Sequence, residues 1–235
     1  MIVSINQPAY MPWLGYFDRI DASDLYVVLD HVQFEKNSFV NRNRIRTPNG
    51  TAWLTIPIST SGRFGDLPIN ALQTADGGRW RKKHLAALRA NYAGTEYFKE
   101  IEPDLKRLYS DDDGNGSFIA PVMKLTELIC SLLNVTTPMV LSSSLNADQT
   151  KSDLVLQICE KIGADGYISG PFGRDYLDLD KFAKRGIKVW MHDYESVDYR
   201  QAWPGFESHL AAIDAVSTLG PQGARQVMLA GRRLT

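Results

Sequence analysis

The opening of the chain alternates between apolar runs and a proline-rich polar segment, and this pattern restricts the possible folds. Ile2–Ile5 is a short apolar run that ends before Pro8, which lacks the N–H needed inside a sheet. Apolar residues spaced three apart, from Leu14 to Ile20, predict a helix with one apolar face. Leu25–Leu29 is almost entirely apolar and predicts a buried strand. A strand, a helix and a strand within about 30 residues predict a βαβ unit with a right-handed crossover.

The rest of the chain continues this alternation. Helical patterns cover 79–92, 97–109, 118–133, 151–162 and 179–184, strand patterns cover 53–58, 140–141, 167–169 and 187–191, and 206–229 carries two helical patterns split by Gly220-Pro221. The order predicts an α/β fold with a mainly parallel central sheet flanked by helices, in a Rossmann-like topology. Neither an internal repeat nor a linker marks a boundary, so we expect a single domain over 1–235.

Composition excludes several classes of protein. The chain has 26 Lys and Arg against 27 Asp and Glu, so its net charge of −1 gives no global attraction to nucleic acid. Cys130 and Cys159 lie in apolar helical patterns and predict buried, reduced thiols, and no Cys/His cluster has zinc spacing. No signal peptide pattern is visible, and no run approaches the roughly 18 apolar residues that a membrane span needs. We therefore expect a cytoplasmic protein without a metal site.

Two turn-rich segments predict loops rather than sites. Ser59–Gly65 is rich in serine and glycine. Asp111-Asp112-Asp113 places three carboxylates beside Gly114, and we interpret it as a solvated loop tip rather than a metal site.

Ligands of parallel α/β sheets bind beyond the carboxyl ends of the strands, and three polar segments are predicted to meet there. The first, Asn6–Tyr16, is stiffened by two prolines and offers flat aromatic faces and hydrogen-bonding groups. Its candidate substrate-binding residues are Gln7, Tyr10, Trp13 and Tyr16. Gly15 allows close approach at a helix N-terminus, where free N–H groups favour anions. The alternative is a rigid connection whose aromatic rings only pack.

The second segment, Asp30–Arg46, is basic although the whole chain is nearly neutral. Four cations lie within eleven residues, and asparagine and phenylalanine are interleaved with them. Arginine forks bind phosphate or carboxylate through paired hydrogen bonds, and the aromatic rings suit a nucleobase. The candidate substrate-binding residues are Lys36, Asn41, Arg42, Asn43 and Arg44. The alternative is a solvated basic hairpin, and a patch of this size predicts no extended nucleic-acid surface.

The candidate catalytic residues are Asp30 and His31, at the end of the second predicted strand. A carboxylate beside an imidazole can form a general base, whereas the alternative is a strand cap and a surface histidine. The third segment adds Ser169 and Arg174 as candidate anion-binding residues. The sequence contains no Gly-x-Ser-x-Gly elbow, no Walker motif and no Rossmann glycine fingerprint.

Several of these strings together resemble the WbqC-like protein family. The resemblance rests on Gln7-Pro8-x-Tyr10-x-Pro12-Trp13-x-Gly15-Tyr16-Phe17, Leu29-Asp30-x-Val32-Gln33-Phe34-x-Lys36, Asn41-Arg42-Asn43-Arg44-Ile45, Trp53-Leu54-Thr55-Ile56-Pro57, Ile168-Ser169-Gly170-Pro171, Asp175-Tyr176-Leu177, Phe206, Leu210 and Ile213-Asp214. Phe39 departs from the tryptophan that the family more often has. The resemblance implies a place in bacterial O-antigen and other surface-polysaccharide gene clusters, and a glycine transferase that acylates an amino sugar. It supplies no catalytic residues.

Three functions are compatible with the sequence. The first is an aminoacyl transferase acting on a nucleotide-linked amino sugar, a small phosphate-bearing substrate. The second is a nucleotidyltransferase-like enzyme, because the opening unit resembles the cytidylyltransferase-type fold, although Trp13-Leu14-Gly15-Tyr16 lacks both histidines of the His-x-Gly-His motif. The third is a non-catalytic protein that binds sugar nucleotides. The sequence identifies neither a cofactor nor the acyl donor.

Overall fold

The βαβ unit predicted at the start of the chain is present. The structure, a computed structural model, describes residues 1–60, 66–111 and 116–235. Strand β1 (Ile2–Asn6) leads into helix α1 (Leu14–Asp21) and then into strand β2 (Leu25–Val28). The two strands are parallel, with Val3 opposite Leu25.

An antiparallel hairpin follows this unit. Its strands are β3 (Arg42–Thr47) and β4 (Gly50–Thr55). The strand predicted over 53–58 is displaced toward the N-terminus, because pairing with β3 determines where β4 begins and ends. The basic segment therefore forms a strand, as the hairpin alternative proposed for Arg42–Arg46.

Three further strands complete a five-stranded parallel sheet, as the sequence predicts. They are β5 (Met139–Leu141), β6 (Gly166–Ser169) and β7 (Lys188–Met191), and the strand order is β5-β2-β1-β6-β7. From β1 the chain adds β2 and β5 on one side, then β6 and β7 on the other. The direction of winding thus switches between β1 and β6. In such sheets the crevice at the carboxyl ends of these two strands is the usual ligand site, and we call it the switch point.

Helices cover both faces of this sheet. They are α1, α2 (Arg79–Tyr92), α3 (Phe98–Ser110), α4 (Ile119–Leu132), α5 (Lys151–Lys161), α6 (Leu179–Lys184) and α7 (Ile213–Ala230). Tyr26 and Val28 of β2 join a core with residues of α1 to α4 and α7, whereas Val27 joins a second core with α5 and α6. The alternation along β2 shows that its two faces are both buried.

Helix α7 begins later than the pattern over 206–229 predicts. The residues before Ile213 are held by tertiary backbone hydrogen bonds, from Ala211 N–H to Arg44 and from Ala212 N–H to Pro12. The predicted division is present, because Gly220 has φ 72° and interrupts the helical conformation.

Both cysteines are free and buried, and burial raises the pKa of Cys130 and of Cys159 to about 12. Such thiols are poor nucleophiles and pack as small apolar residues. The loop predictions for 61–65 and for Asp112 and Asp113 lie outside the described residues.

Candidate functional site

The predicted polar segments follow the carboxyl ends of strands β1, β2 and β6. Gln7 follows β1, Asp30 and His31 follow β2, and Ser169 ends β6. Strand β5 brings a further segment, Ser142–Leu145, beside the end of β2. Parallel pairing thus places these groups along one edge of the sheet.

The Asp30 carboxylate is buried and held by serines from the segment after β5. Its Oδ1 accepts the Ser142 hydroxyl at 3.0 Å and the Ser143 N–H at 2.8 Å, and its Oδ2 accepts the Ser143 hydroxyl at 2.7 Å. The residue is only 2% exposed. Both oxygens therefore accept hydrogen bonds from the protein itself.

His31 is linked to this carboxylate through Ser142. His31 Nδ1 lies 2.6 Å from Ser142 Oγ. Because the Ser142 hydroxyl donates its proton to Asp30, its oxygen accepts the Nδ1 proton of His31. This arrangement places a proton on Nδ1. Nε2 has no hydrogen-bond partner in the described part of the chain, and in a neutral imidazole protonated on Nδ1 it is the nitrogen that carries the lone pair.

His31 lines a groove of about 320 Å³ at this edge of the sheet. The opposite wall comes from the start of α5 and the residues before it, including Gln149, Thr150 and Lys151. A groove of this volume accommodates a small molecule. His31 thus faces a space where a ligand can lie.

A second feature is an exposed surface of aromatic rings and arginines, which we call the aromatic–arginine surface. It consists of Trp13, Phe39, Arg42, Arg44 and Trp53. The Trp13 and Phe39 rings are 5.5 Å apart, and the Phe39 and Trp53 rings 5.9 Å apart. The guanidinium carbons of Arg42 and Arg44 lie 4.4 and 5.9 Å from the Trp53 ring centre. Phe39 and Trp53 are 41% and 46% exposed, an unusual exposure for such large rings.

The hairpin explains why these residues meet. Arg44 of β3 lies directly opposite Trp53 of β4, so the two side chains project from the same face. The Arg44 guanidinium also donates to the Ser208 carbonyl at 3.1 Å, and Arg42 donates to the Asn37 carbonyl at 2.7 Å. These bonds restrain both arginines without neutralising their charge.

Lys36 lies next to this surface. Lys36 and Arg42 line a groove of about 300 Å³, together with Asn37 and Asn41. Two cationic residues thus border one hollow, as an anionic ligand requires.

The structure places two of the predicted aromatic residues in the core. Tyr10 is 1% exposed, and its hydroxyl lies 2.7 Å from His84 Nδ1 and 2.6 Å from the Tyr109 hydroxyl. Burial lowers the pKa of His84 to about 4, so this histidine is neutral near pH 7. Tyr16 is 2% exposed and donates to the Gln7 carbonyl at 3.2 Å. Neither ring has a face free for stacking on a ligand.

The two predicted asparagines are also buried. Asn41 donates to the Ile56 carbonyl at 2.9 Å, and Asn43 donates to the Met11 carbonyl at 2.6 Å. Through Asn43, strand β3 is joined to the loop that follows β1. Both side chains therefore hold the aromatic–arginine surface in place.

The N-terminus of α1 is covered. A Cβ on Gly15 would lie 2.6 Å from the Tyr194 ring, so the glycine makes room for that ring rather than for a ligand. The anion site expected at this helix end is filled by a side chain of the protein.

The remaining predicted residues lie near the ends of β6 and β7. Ser169 is 1% exposed. Arg174 forms a paired salt bridge with Asp193 at 2.7 and 2.6 Å and also donates to the Thr235 hydroxyl. Hydrogen bonding to Arg174 lowers the pKa of Asp193 to about 2. Arg174 is thus engaged by a carboxylate of the protein itself.

Four residues of these sites were not predicted as site residues from the sequence: Ser142, Ser143, Phe39 and Trp53. The run of serines after the predicted strand 140–141 is a detectable signal, because a strand end is where ligand-binding groups collect. For Phe39 and Trp53 the signal was their proximity to alternating arginines.

Within the described ranges, no cluster of three or more His, Cys, Asp and Glu side chains has the geometry of a metal site. No helix among the described residues has the length and apolar character to cross a bilayer.

These features define an α/β protein whose polar and cationic groups gather at and beyond the carboxyl edge of a parallel sheet. The sequence model of the WbqC-like protein family matches residues 7–226, and the chain belongs to that family. It is also 34% identical over 221 residues to Rv1507c, an uncharacterized protein of Mycobacterium tuberculosis, with 94% of both chains covered. No solved structure matches the chain.

Proposed function

We propose that this protein is a transferase of bacterial surface-polysaccharide biosynthesis that attaches an acyl group, such as glycine, to an amino sugar carried on a nucleotide. The observation that carries the proposal is the Asp30–Ser142–His31 chain, which holds Nδ1 of the imidazole and leaves Nε2 without a partner among the described residues, in a residue that lines a groove. Resemblance to a family associated with O-antigen gene clusters supports the substrate class.

His31 acts as the general base in this proposal. The amine nitrogen of the sugar attacks the carbonyl carbon of an activated acyl donor, and an amide bond forms. The amine proton moves to His31 Nε2, and the leaving group departs from the donor with the bonding electrons. Ser142 and Asp30 hold the imidazole in the required tautomer and stabilise its protonated form, as the third group of a catalytic triad does.

The aromatic–arginine surface supplies the binding part of the proposal. Exposed rings stack on nucleobases or on the apolar faces of sugars, and arginines bind the diphosphate between them. Trp53 and Phe39 provide the rings, and Arg42, Arg44 and Lys36 provide the charges.

Mass spectrometry of reaction mixtures tests the proposal directly. The protein is incubated with UDP-linked and dTDP-linked amino sugars and activated glycine donors, and a mass gain on the sugar is expected. His31→Gln is expected to lower kcat about 10²- to 10⁴-fold, the usual contribution of a general base, with sugar-nucleotide affinity nearly unchanged. Full turnover by this variant would contradict the assignment of the base.

Two neighbouring serines provide a matched comparison. Ser142→Ala removes the link between Asp30 and His31, and is expected to lower kcat and alter the pH profile of turnover. Ser144→Ala removes a hydroxyl whose one side-chain partner among the described residues is the Leu141 carbonyl, and is expected to leave kcat unchanged. Equal rates for both variants would show that the linked groups have no catalytic part.

A non-catalytic sugar-nucleotide-binding protein is the second candidate, and the aromatic–arginine surface favours it. This second function predicts that the protein binds the sugar nucleotide and that the sugar gains no mass. His31→Gln is then expected to leave the affinity for the sugar nucleotide unchanged. The same incubations therefore separate the two functions.

A further inference from the structure

Arg19 is a buried arginine of helix α1 that neither the sequence motifs nor the site described above involves. It is 8% exposed. A Cβ on Gly170 would lie 2.5 Å from one of its guanidinium nitrogens, so the guanidinium rests against the backbone just after β6. The side chain therefore reaches the carboxyl edge of the sheet. Gly170 is what makes room for it there.

The guanidinium has no partner within the described residues. It donates no hydrogen bond, and no carboxylate lies within ion-pair distance. Some side-chain nitrogens of Arg42, Arg46 and Arg81 are fully enclosed and have no hydrogen-bond partner in the described ranges. The unpaired nitrogens of Arg19 are not fully enclosed. The Arg19 guanidinium thus retains a path to solvent, although most of the residue is buried.

The groups around Arg19 are phenols rather than carboxylates. Burial raises the pKa of Tyr16, Tyr26, Tyr167 and Tyr176, and the Arg19 charge opposes that rise in all four. Phenols with raised pKa values are neutral near pH 7, so they do not compensate the cation. A buried charge without a counterion is costly, and proteins ordinarily pair it.

The Arg19 guanidinium lies at the edge of the sheet where ligands of such folds bind. β6 is the neighbour of β1 on the far side from β2, so the backbone at Gly170, just after β6, borders the switch point between β1 and β6. We propose that Arg19 binds a phosphate group of a ligand at the switch point. An arginine fork supplies paired, charge-assisted hydrogen bonds to two phosphate oxygens.

The inference deepens the proposed function, since a nucleotide-linked sugar carries a diphosphate, and it rests on that function only for the identity of the ligand. The anion itself is tested without any transfer reaction. Inorganic pyrophosphate serves as the probe, because it has the charge and oxygen spacing of a diphosphate.

Calorimetric titration with pyrophosphate is the decisive measurement. Arg19→Met keeps the length of the side chain and removes the charge, and is expected to weaken pyrophosphate binding about ten- to a hundredfold. Its urea midpoint is expected to stay equal or rise, because the charge lacks a partner in the free protein. A purely structural role predicts the reverse, with unchanged binding and a lower midpoint.

Gly170→Ala provides a second variant that keeps the charge. Its new Cβ displaces the Arg19 guanidinium, so weaker pyrophosphate binding is expected again, and this variant decides the outcome if Arg19→Met does not fold. Arg107→Met is the matched control, because Arg107 is 80% exposed, and unchanged binding is expected. Equal loss in the control would reveal non-specific attraction and overturn the proposal, as would the absence of pyrophosphate binding by the unmodified protein.

The two proposals fail in different ways. Arg19-dependent pyrophosphate binding by a protein that transfers no acyl group supports the phosphate site and contradicts the transferase. Transfer with an unchanged KM in Arg19→Met supports the transferase and contradicts the phosphate site.

Discussion

Asp214 shows how one buried carboxyl group can make stability depend on pH. It is fully buried in α7, where Oδ2 accepts the Tyr199 hydroxyl at 2.9 Å and Oδ1 has no partner in the described structure. Burial raises the pKa of Asp214 from 3.8 to about 6, although the Tyr199 hydrogen bond, the nearby Tyr92 hydroxyl and the charge of Arg46 oppose the rise. The folded state therefore holds this proton more tightly than the unfolded chain does.

The consequence is a loss of stability as pH rises. From below the unfolded pKa of 3.8 to above the folded pKa of about 6, the contribution of Asp214 to the free energy of unfolding is expected to fall by about 3 kcal/mol. Urea denaturation at several pH values across this range measures the slope of the free energy of unfolding against pH. Asp214→Asn is expected to flatten it, whereas Asp198→Asn, at an exposed position, is expected to leave it unchanged. An Asp214→Asn slope equal to that of the unmodified protein would contradict the assignment.

The sequence predicts a helix or strand correctly where the residue pattern that identifies it is local. The Leu25–Leu29 run and the apolar spacing of α1 each identify one element, and together they place Asp30 and His31 at a strand end. The Asp30–Ser142 contact could not be predicted in this way, because it requires β5 to lie beside β2 after more than 100 intervening residues. Tyr10 was misleading for a related reason, because only the tertiary packing shows that its ring lies in the core.

The same limit applies to the hairpin. The alternation of arginines in 42–46 predicted a strand face, but the partner across β3 and β4 depends on the register. That register places Arg44 opposite Trp53 and converts two separate sequence features into one surface.

Strand β4 therefore allows a test of the aromatic–arginine surface. Trp53→Ala removes a ring that is 46% exposed, so we expect little change in the urea midpoint. We expect sugar-nucleotide affinity to fall about tenfold or more, because stacking on an aromatic ring contributes about 1–3 kcal/mol per base. Calorimetry with UDP-linked sugars measures the loss. Thr51→Ala, near the other end of the same strand, is the control, and an equal loss in both would contradict a stacking role.

For the whole molecule, the last residues of the chain join the sheet to its covering helices. Thr235 exchanges two backbone hydrogen bonds with Met191, at 2.8 and 3.0 Å, and so covers part of the open edge of β7. Nearby, Arg232 Nε donates to Asp18 at 2.9 Å, and its terminal nitrogen donates to Asp21 at 2.6 Å. The tail thus covers part of the sheet edge and also pairs one buried and one partly exposed carboxylate of α1.

Adjacent arginines in this tail allow the two contributions to be separated. Arg232→Met leaves Asp18, which has no exposed surface, with the His192 ring as a remaining hydrogen-bond partner but without its arginine among the described residues. The free energy of unfolding is expected to fall by about 3 kcal/mol, because a buried charge loses its partner. Arg233→Met removes an exposed pair with Glu195 and two exposed hydrogen bonds to the carbonyls of Ala230 and Arg232, and a loss of less than about 1 kcal/mol is expected. Urea denaturation measures both, and equal losses would mean that the buried pairing of α1 with the tail contributes nothing beyond a surface ion pair.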